Sequence, residues 1–309
     1  MNCPICNSNK ARFLFITQDI LYKIAKGSFN VDQCMECKCI YINPLPEEDI
    51  ISSFYPKNYY SYQDDELGFF DKLKINIVKK HTGRGDKLTK IEYLLVTIFE
   101  KKFGGLPLYR KKKGKFLDIG CGAGKNLSIV EDYGWIAHGI ELDDHAVSKA
   151  VSRGLSVKKQ TISQFINTDD EKYDFIRLWH VLEHLSDPNK CLSGLAQKLN
   201  PNGELEIAIP NANSWAFKIF GKYWYGLDIP RHIFSFNIQN IIMMIESNKL
   251  NVVSIKYSSC GGFLGSISNL LDLRKNLVNN KLLILLFSPL DFISDLCEAG
   301  DTLFIKVKK

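Results

Sequence analysis

Apolar and polar positions along the chain change character twice. Near the start, two short apolar runs, Phe13-Leu14-Phe15-Ile16 and Ile20-Leu21-Tyr22, predict short strands between cysteine pairs. Asn43-Pro44-Leu45-Pro46 followed by Glu47, Glu48 and Asp49 then opens a short helix, since proline is tolerated in a first turn and acids complement a helix N-terminus. Leu88, Ile91, Leu95, Ile98 and Phe99 recur at helical spacing up to Gly104-Gly105. Beyond residue 114 the runs become those of buried strands and amphipathic helices. Lys115–Ile119 reads as a strand, Leu127, Ile129 and Val130 as one helix face, and Trp135–Ile140 as a second strand. Ile238, Ile241, Ile242 and Ile245 mark a later helix; Leu264, Ile267, Leu270 and Leu271 mark another, and Gly300–Val307 closes the chain as a strand.

Composition adds limits to this picture. The 309 residues are 45% hydrophobic and 24% charged, the balance of an ordinary globular protein, and the length suggests two domains. The net charge of +6 is local: residues 101–115 carry seven Lys or Arg and no acid, so the remainder sums to 6 − 7 = −1. A nucleic-acid partner is therefore not expected, because binding needs a basic face several phosphates long. The basic stretch is either a solvated loop or an attractor for a phosphorylated or membrane-bound acceptor. The first ten residues lack the apolar core of a secretion signal and the longest strongly apolar run is Leu282–Phe287, so a cytoplasmic protein without a membrane span is expected.

Five of the nine cysteines lie in the first 39 residues, as Cys3-Pro-Ile-Cys6 and Cys34-Met-Glu-Cys37 with Cys39 just beyond. Each CxxC turn aims two thiolates at one point, and two such turns supply the four soft ligands of tetrahedral zinc. Cys3, Cys6, Cys34 and Cys37 are the expected ligands of a structural zinc ribbon, with Cys39 as an alternative to Cys37. A reducing compartment favours this use over disulfides.

The most informative string is Lys115-Phe-Leu-Asp118-Ile-Gly120-Cys121-Gly122-Ala-Gly124: a buried strand, a glycine turn and a helix start. Glycines let the backbone pass close under a ligand. Glu141, 21 residues after Gly120 at the tip of the second strand, is placed to accept ribose hydroxyls. Together these form a mononucleotide-binding βαβ unit, and the GxGxG spacing disfavours a nicotinamide-dependent oxidoreductase.

With Tyr173–Pro188 and Leu199–Asn211, these strings resemble the class I S-adenosylmethionine-dependent methyltransferases, and the CxxC pairs resemble a zinc module fused to a subset that acts on sugars. The resemblance implies a Rossmann-like, doubly wound α/β fold with a mostly parallel seven-stranded sheet. It divides the chain into a zinc ribbon (1–45), a helical and aromatic connector or lid (46–113) and a cofactor-binding domain (114–309) with insertions at 211–236 and 262–299. It further implies S-adenosylmethionine held by Asp118, Gly120, Cys121, Gly122 and Gly124, by Glu141 on the ribose and Leu142 on adenine, and by Trp179 and His180 near the sulfonium. The family's adenine-binding Asp is replaced by Gln160 or Thr161.

Methyl transfer to a hydroxyl needs a proton acceptor, and histidine is the usual residue near neutral pH. His232, oriented by Asp228, is the expected base, with His184 as the second candidate. His232 ends the string Tyr223-Trp-Tyr-Gly-Leu-Asp228-Ile-Pro-Arg231-His232, whose rings and charged tips suit a sugar. The expected activity is O-methylation of a sugar or glycan intermediate, small or lipid-linked, in surface polysaccharide synthesis. A quinone or other phenolic acceptor is the alternative, and an RNA-modifying ribbon protein a third. The helical insertion serves packing, a homodimer or contact with a membrane surface.

Overall fold

The computed structural model describes residues 2–56, 76, 89–91, 106–107, 113–168, 170–259, 261–273 and 277–309. The helix expected from Leu88 to Phe99, most of the tyrosine-rich segment and the basic stretch as far as Lys112 fall largely outside these residues. The chain divides into two compact units, Met1–Lys57 with His180–Ala196 and Ile207–Lys309, and Asn58–Trp179 with Gln197–Glu206.

The second unit holds four parallel strands, β4 (Lys115–Ile119), β5 (Ile136–Glu141), β6 (Val157–Lys159) and β7 (Tyr173–Trp179). Helices Lys125–Asp132, Asp144–Ser152 and Ile162–Thr168 connect them. Phe116 stacks on Phe175 with centroids 5.7 Å apart, and Trp135, Leu127 and Val130 pack around this pair, so alternate residues of the strands fill the core. The carboxylate of Asp143 caps helix Asp144–Ser152 by accepting the Ala146 N–H at 2.8 Å.

The first unit begins with β1 (Ala11–Thr17), β2 (Phe29–Cys34) and β3 (Ile40–Ile42). These form an antiparallel sheet that β9 (Phe234–Ser235) extends beside β3. Ile20-Leu21-Tyr22 is a turn, not the expected strand. The Asp19 carboxylate accepts the N–H groups of Tyr22, Ile24 and Ala25, which draws the backbone into a loop. Trp224, Leu227, Ile229 and Phe263 pack with Val31, Ile40 and Ile42 as this unit's core. The unit also carries the antiparallel pair β10 (Asn251–Ser258) and β11 (Thr302–Lys308), with helices Ile238–Ser247, Gly262–Leu270 and Lys281–Leu296. Leu282, Leu285, Leu286 and Phe292 of the last helix are exposed.

With β8 (Leu199–Pro210), the larger sheet has the hydrogen-bonded order β10-β11-β8-β7-β4-β5-β6. It is the mixed, mostly parallel Rossmann-like sheet expected from the sequence. Its order reverses between β4 and β7, which is where open α/β sheets bind ligands beyond the strand ends.

Candidate active site

The glycine turn follows β4 directly. Gly120, Gly122 and Gly124 all have positive φ, at 69°, 54° and 81°. A β-carbon on Gly124 would lie 2.4 Å from Leu155 Cδ1, so this position needs glycine for packing as well as for φ. Glu141 reaches back across the turn: its Oε2 accepts the Gly122 N–H at 2.9 Å and Oε1 accepts Leu142 and Asp143 N–H groups at 2.7 and 3.1 Å. Leu142 is 59% exposed beyond the strand tip. Thr161 caps helix Ile162–Thr168, accepting the Gln164 N–H at 3.0 Å, whereas Gln160 Nε2 is buried with no hydrogen-bond partner among the described residues.

Asp118 and Cys121 sit beneath the turn. Asp118 is fully buried and takes Arg177 Nη1 on both oxygens, at 3.0 and 3.2 Å, across the β4–β7 register. Burial pushes its carboxyl upward while Arg177 opposes the shift. Arg177 in turn lies 4.2 Å over the Trp179 ring. Cys121 is buried, and its thiol is pushed up by burial and by Asp118 and Glu141. The residues fit S-adenosylmethionine: three left-handed glycines, a carboxylate at the β5 tip and an unmet buried donor at Gln160 surround one end of β4 and β5.

The N-terminal cysteines form two matching knuckles. In each, the residue after the second cysteine turns left-handed, Asn7 at φ 59° and Lys38 at φ 61°, and donates its N–H to the first cysteine's carbonyl. Cys3 and Cys37 sulfurs are 3.6 Å apart, Cys6 and Cys34 sulfurs 3.5 Å. A tetrahedral zinc with bonds of about 2.3 Å places its sulfurs about 3.8 Å apart, so the donor set can chelate a metal ion. Cys39 is outside the quartet: it is fully buried, and its sulfur faces the Ile40 and Ser235 carbonyls. Asn237 and Asn240, which cap helix Ile238–Ser247, also donate to the carbonyls of Lys38 and Cys37.

Immediately after Trp179 the chain enters a histidine cluster that belongs to the first unit. His180 has φ 51°, a left-handed conformation costing about 1–2 kcal/mol in a residue with a β-carbon. Its Nδ1 is 3.1 Å from Glu183 Oε1. The rings of His184 and His232 meet edge to face with centroids 4.6 Å apart. His184 Nδ1 lies 2.9 Å from the Arg231 carbonyl and 2.9 Å from the Tyr55 hydroxyl; His232 Nδ1 lies 2.8 Å from the Gly226 carbonyl. A carbonyl only accepts, so both Nδ1 atoms carry hydrogen and both Nε2 atoms are the acceptors of neutral rings. Burial holds both imidazoles below their usual range, His184 at about 4. Glu183 is fully buried; burial works against its charge, but the His180 hydrogen bond and the surrounding imidazoles bring its carboxyl down to about 2.

Asp228 does not orient His232. Its carboxylate grips Arg231, accepting Nε at 3.0 and 3.1 Å and Nη2 at 2.6 Å. Arg231 Nη1 and Nη2 also reach Asp19 at 3.2 and 2.7 Å, Nη1 reaches the Phe54 carbonyl at 3.0 Å, and the guanidinium lies 4.4 Å over Tyr22. The backbone carbonyl of Gly226 takes the orienting role expected of Asp228. Glu183, Asp19 and Tyr55 lie beside these residues without having been named as site residues; Glu183 lay inside the Tyr173–Pro188 string and Tyr55 inside the aromatic connector or lid.

A family model described as methyltransferase domain matches residues 94–255, just over half the chain. Ubiquinone biosynthesis O-methyltransferases of Pasteurella multocida and Saccharophagus degradans are similar, at 32% identity over 134 residues and 27% over 131. These matches cover 38% and 40% of this chain, and the chain spans about half the length of these curated relatives, 55% and 56%. The crystal structure of a SAM dependent methyltransferase from Archaeoglobus fulgidus aligns over 78% of this chain and 100% of its own, at 18% identity and a TM-score of 0.48. The family model's match over more than half of the chain's length shows that the chain belongs to the methyltransferase-domain family.

Proposed function

We propose that this protein transfers the methyl group of S-adenosylmethionine to a hydroxyl of a small phenolic acceptor. Gly120, Gly122 and Gly124 carry the cofactor's approach, Glu141 the ribose, Leu142 one face of adenine, and the unmet Gln160 Nε2 an adenine nitrogen. Asp118 braces the turn from below through Arg177, whose guanidinium lies over the Trp179 ring. The Glu183–His184–His232 cluster ionises the acceptor hydroxyl.

One observation supports a phenol over a sugar. Three of the side chains that suited a sugar are engaged within the protein: Trp224 is 1% exposed in the core, and Arg231 is bound to both Asp228 and Asp19. No charged tip of that string remains for sugar hydroxyls, while the imidazole cluster suits a single acidic hydroxyl. The relatives' names, which concern ubiquinone biosynthesis, support the same choice.

The reading is tested by offering the full-length protein S-adenosylmethionine with a dihydroxyphenol and, separately, a sugar nucleotide, and measuring methyl ether by mass spectrometry. Methylation of the phenol alone is expected; methylation of the sugar alone would overturn the assignment. His232→Ala should lower turnover by about 10²–10⁴-fold with S-adenosylhomocysteine binding retained. Unchanged turnover would remove the cluster from the chemistry.

A further inference from the structure

We infer that Glu183, His184 and His232 form a second metal site, distinct from the cysteine quartet, that takes a divalent cation with an open coordination position for the acceptor oxygen. The inference rests on the O-methylation reading. One donor atom from each residue lies within 4.8 Å of the others, and His232 Nε2 is 3.9 Å from Glu183 Oε1. Zinc bonds of about 2.0–2.2 Å set ligands about 3.3 Å apart, so closure onto an ion needs movement of no more than about 1.5 Å.

Three features make this a donor set instead of a packed polar cluster. Both histidines have their Nδ1 held by a backbone carbonyl, the arrangement that fixes the tautomer of metal-binding imidazoles and presents Nε2. The Glu183 carboxylate is held in place by His180, whose Nδ1 lies 3.1 Å from the same Oε1 that faces His232. Glu183 Oε2 is buried without a hydrogen-bond partner among the described residues, although an unsatisfied buried carboxylate oxygen is costly. An ion taken by both oxygens of the carboxylate would satisfy it.

Two nitrogens and one carboxylate with a vacant position suit a zinc ion acting as a Lewis acid. Coordination of the acceptor hydroxyl lowers its pKa, and its proton leaves to solvent. The oxygen lone pair then forms the O–CH3 bond as the methyl–sulfur bond breaks, and that electron pair stays on sulfur as neutral S-adenosylhomocysteine. His232 serves here as a ligand.

The test is zinc content and zinc-edge X-ray absorption on the full chain after dialysis against zinc and then zinc-free buffer. The wild type should hold two equivalents, with a nitrogen and oxygen shell near 2.0 Å beside sulfur near 2.3 Å. Glu183→Gln and His232→Ala should each hold one, with a pure sulfur shell. A single equivalent with only sulfur neighbours in the wild type, or two equivalents in both variants, would overturn the site. The absorption measurement needs no variant, so misfolding of one cannot obscure the result. Two equivalents without methylation of any phenol would leave the site standing and overturn the functional reading. Methylation with a pure sulfur shell would do the reverse.

Discussion

Arg231 uses all three of its nitrogens on Asp19, Asp228 and the Phe54 carbonyl, and it is fully buried. Removing it leaves two buried carboxylates uncompensated, so Arg231→Ala should lower stability by about 3–5 kcal/mol in urea unfolding. Arg231→Lys should recover little, because an ammonium cannot span both carboxylates in one plane. At the glycine turn, Gly124→Ala meets both a left-handed φ and Leu155, and should cost roughly 1–3 kcal/mol while weakening S-adenosylhomocysteine binding in calorimetry. Single residues were legible where chemistry is local. The glycine turn and the carboxylate that reaches back to it could be read from spacing, whereas the use of Thr161 as a helix cap could not. Asp19 could not be read that way, because its partner lies 212 positions away and nothing in either neighbourhood announces the pair.

At the scale of elements, the two cysteine knuckles were legible because CxxC is a local device whose turn and ligands come together. The strands around them were less so. β2 (Phe-Asn-Val-Asp-Gln-Cys) carries polar residues that disguise its alternation, and β9 has two residues that are a strand only because β3 pairs with them. Ile20-Leu21-Tyr22 has strand composition, yet three backbone N–H groups bound to Asp19 outweigh propensity. Cys6→Ser should release the cysteine-bound metal and destabilise the first unit, measured as lost zinc and a lowered melting temperature; retention of a full equivalent at that quartet would contradict the ligand set. Asn240→Ala removes half of a capping box and a bond to the Cys37 carbonyl, and should cost about 1–2 kcal/mol by urea unfolding without loss of the metal.

At the scale of the molecule, the mostly parallel, seven-stranded character of the larger sheet followed from the resemblance of its strings, whereas its strand order and the make-up of the two units did not. The first unit gathers the N-terminus, residues 180–196 and the last third of the chain, and such gathering leaves no periodic mark in sequence. Net charge proved a property of one segment. Among the described residues no helix is long and apolar enough to cross a membrane. The central claim is that the glycine turn and Glu141 serve S-adenosylmethionine, and thermal unfolding with added ligand tests it most directly. S-adenosylhomocysteine at about a hundred times its dissociation constant should stabilise the protein by about 2.7 kcal/mol, raising the melting temperature, while NAD leaves it unchanged. Stabilisation by NAD and none by S-adenosylhomocysteine would contradict the account.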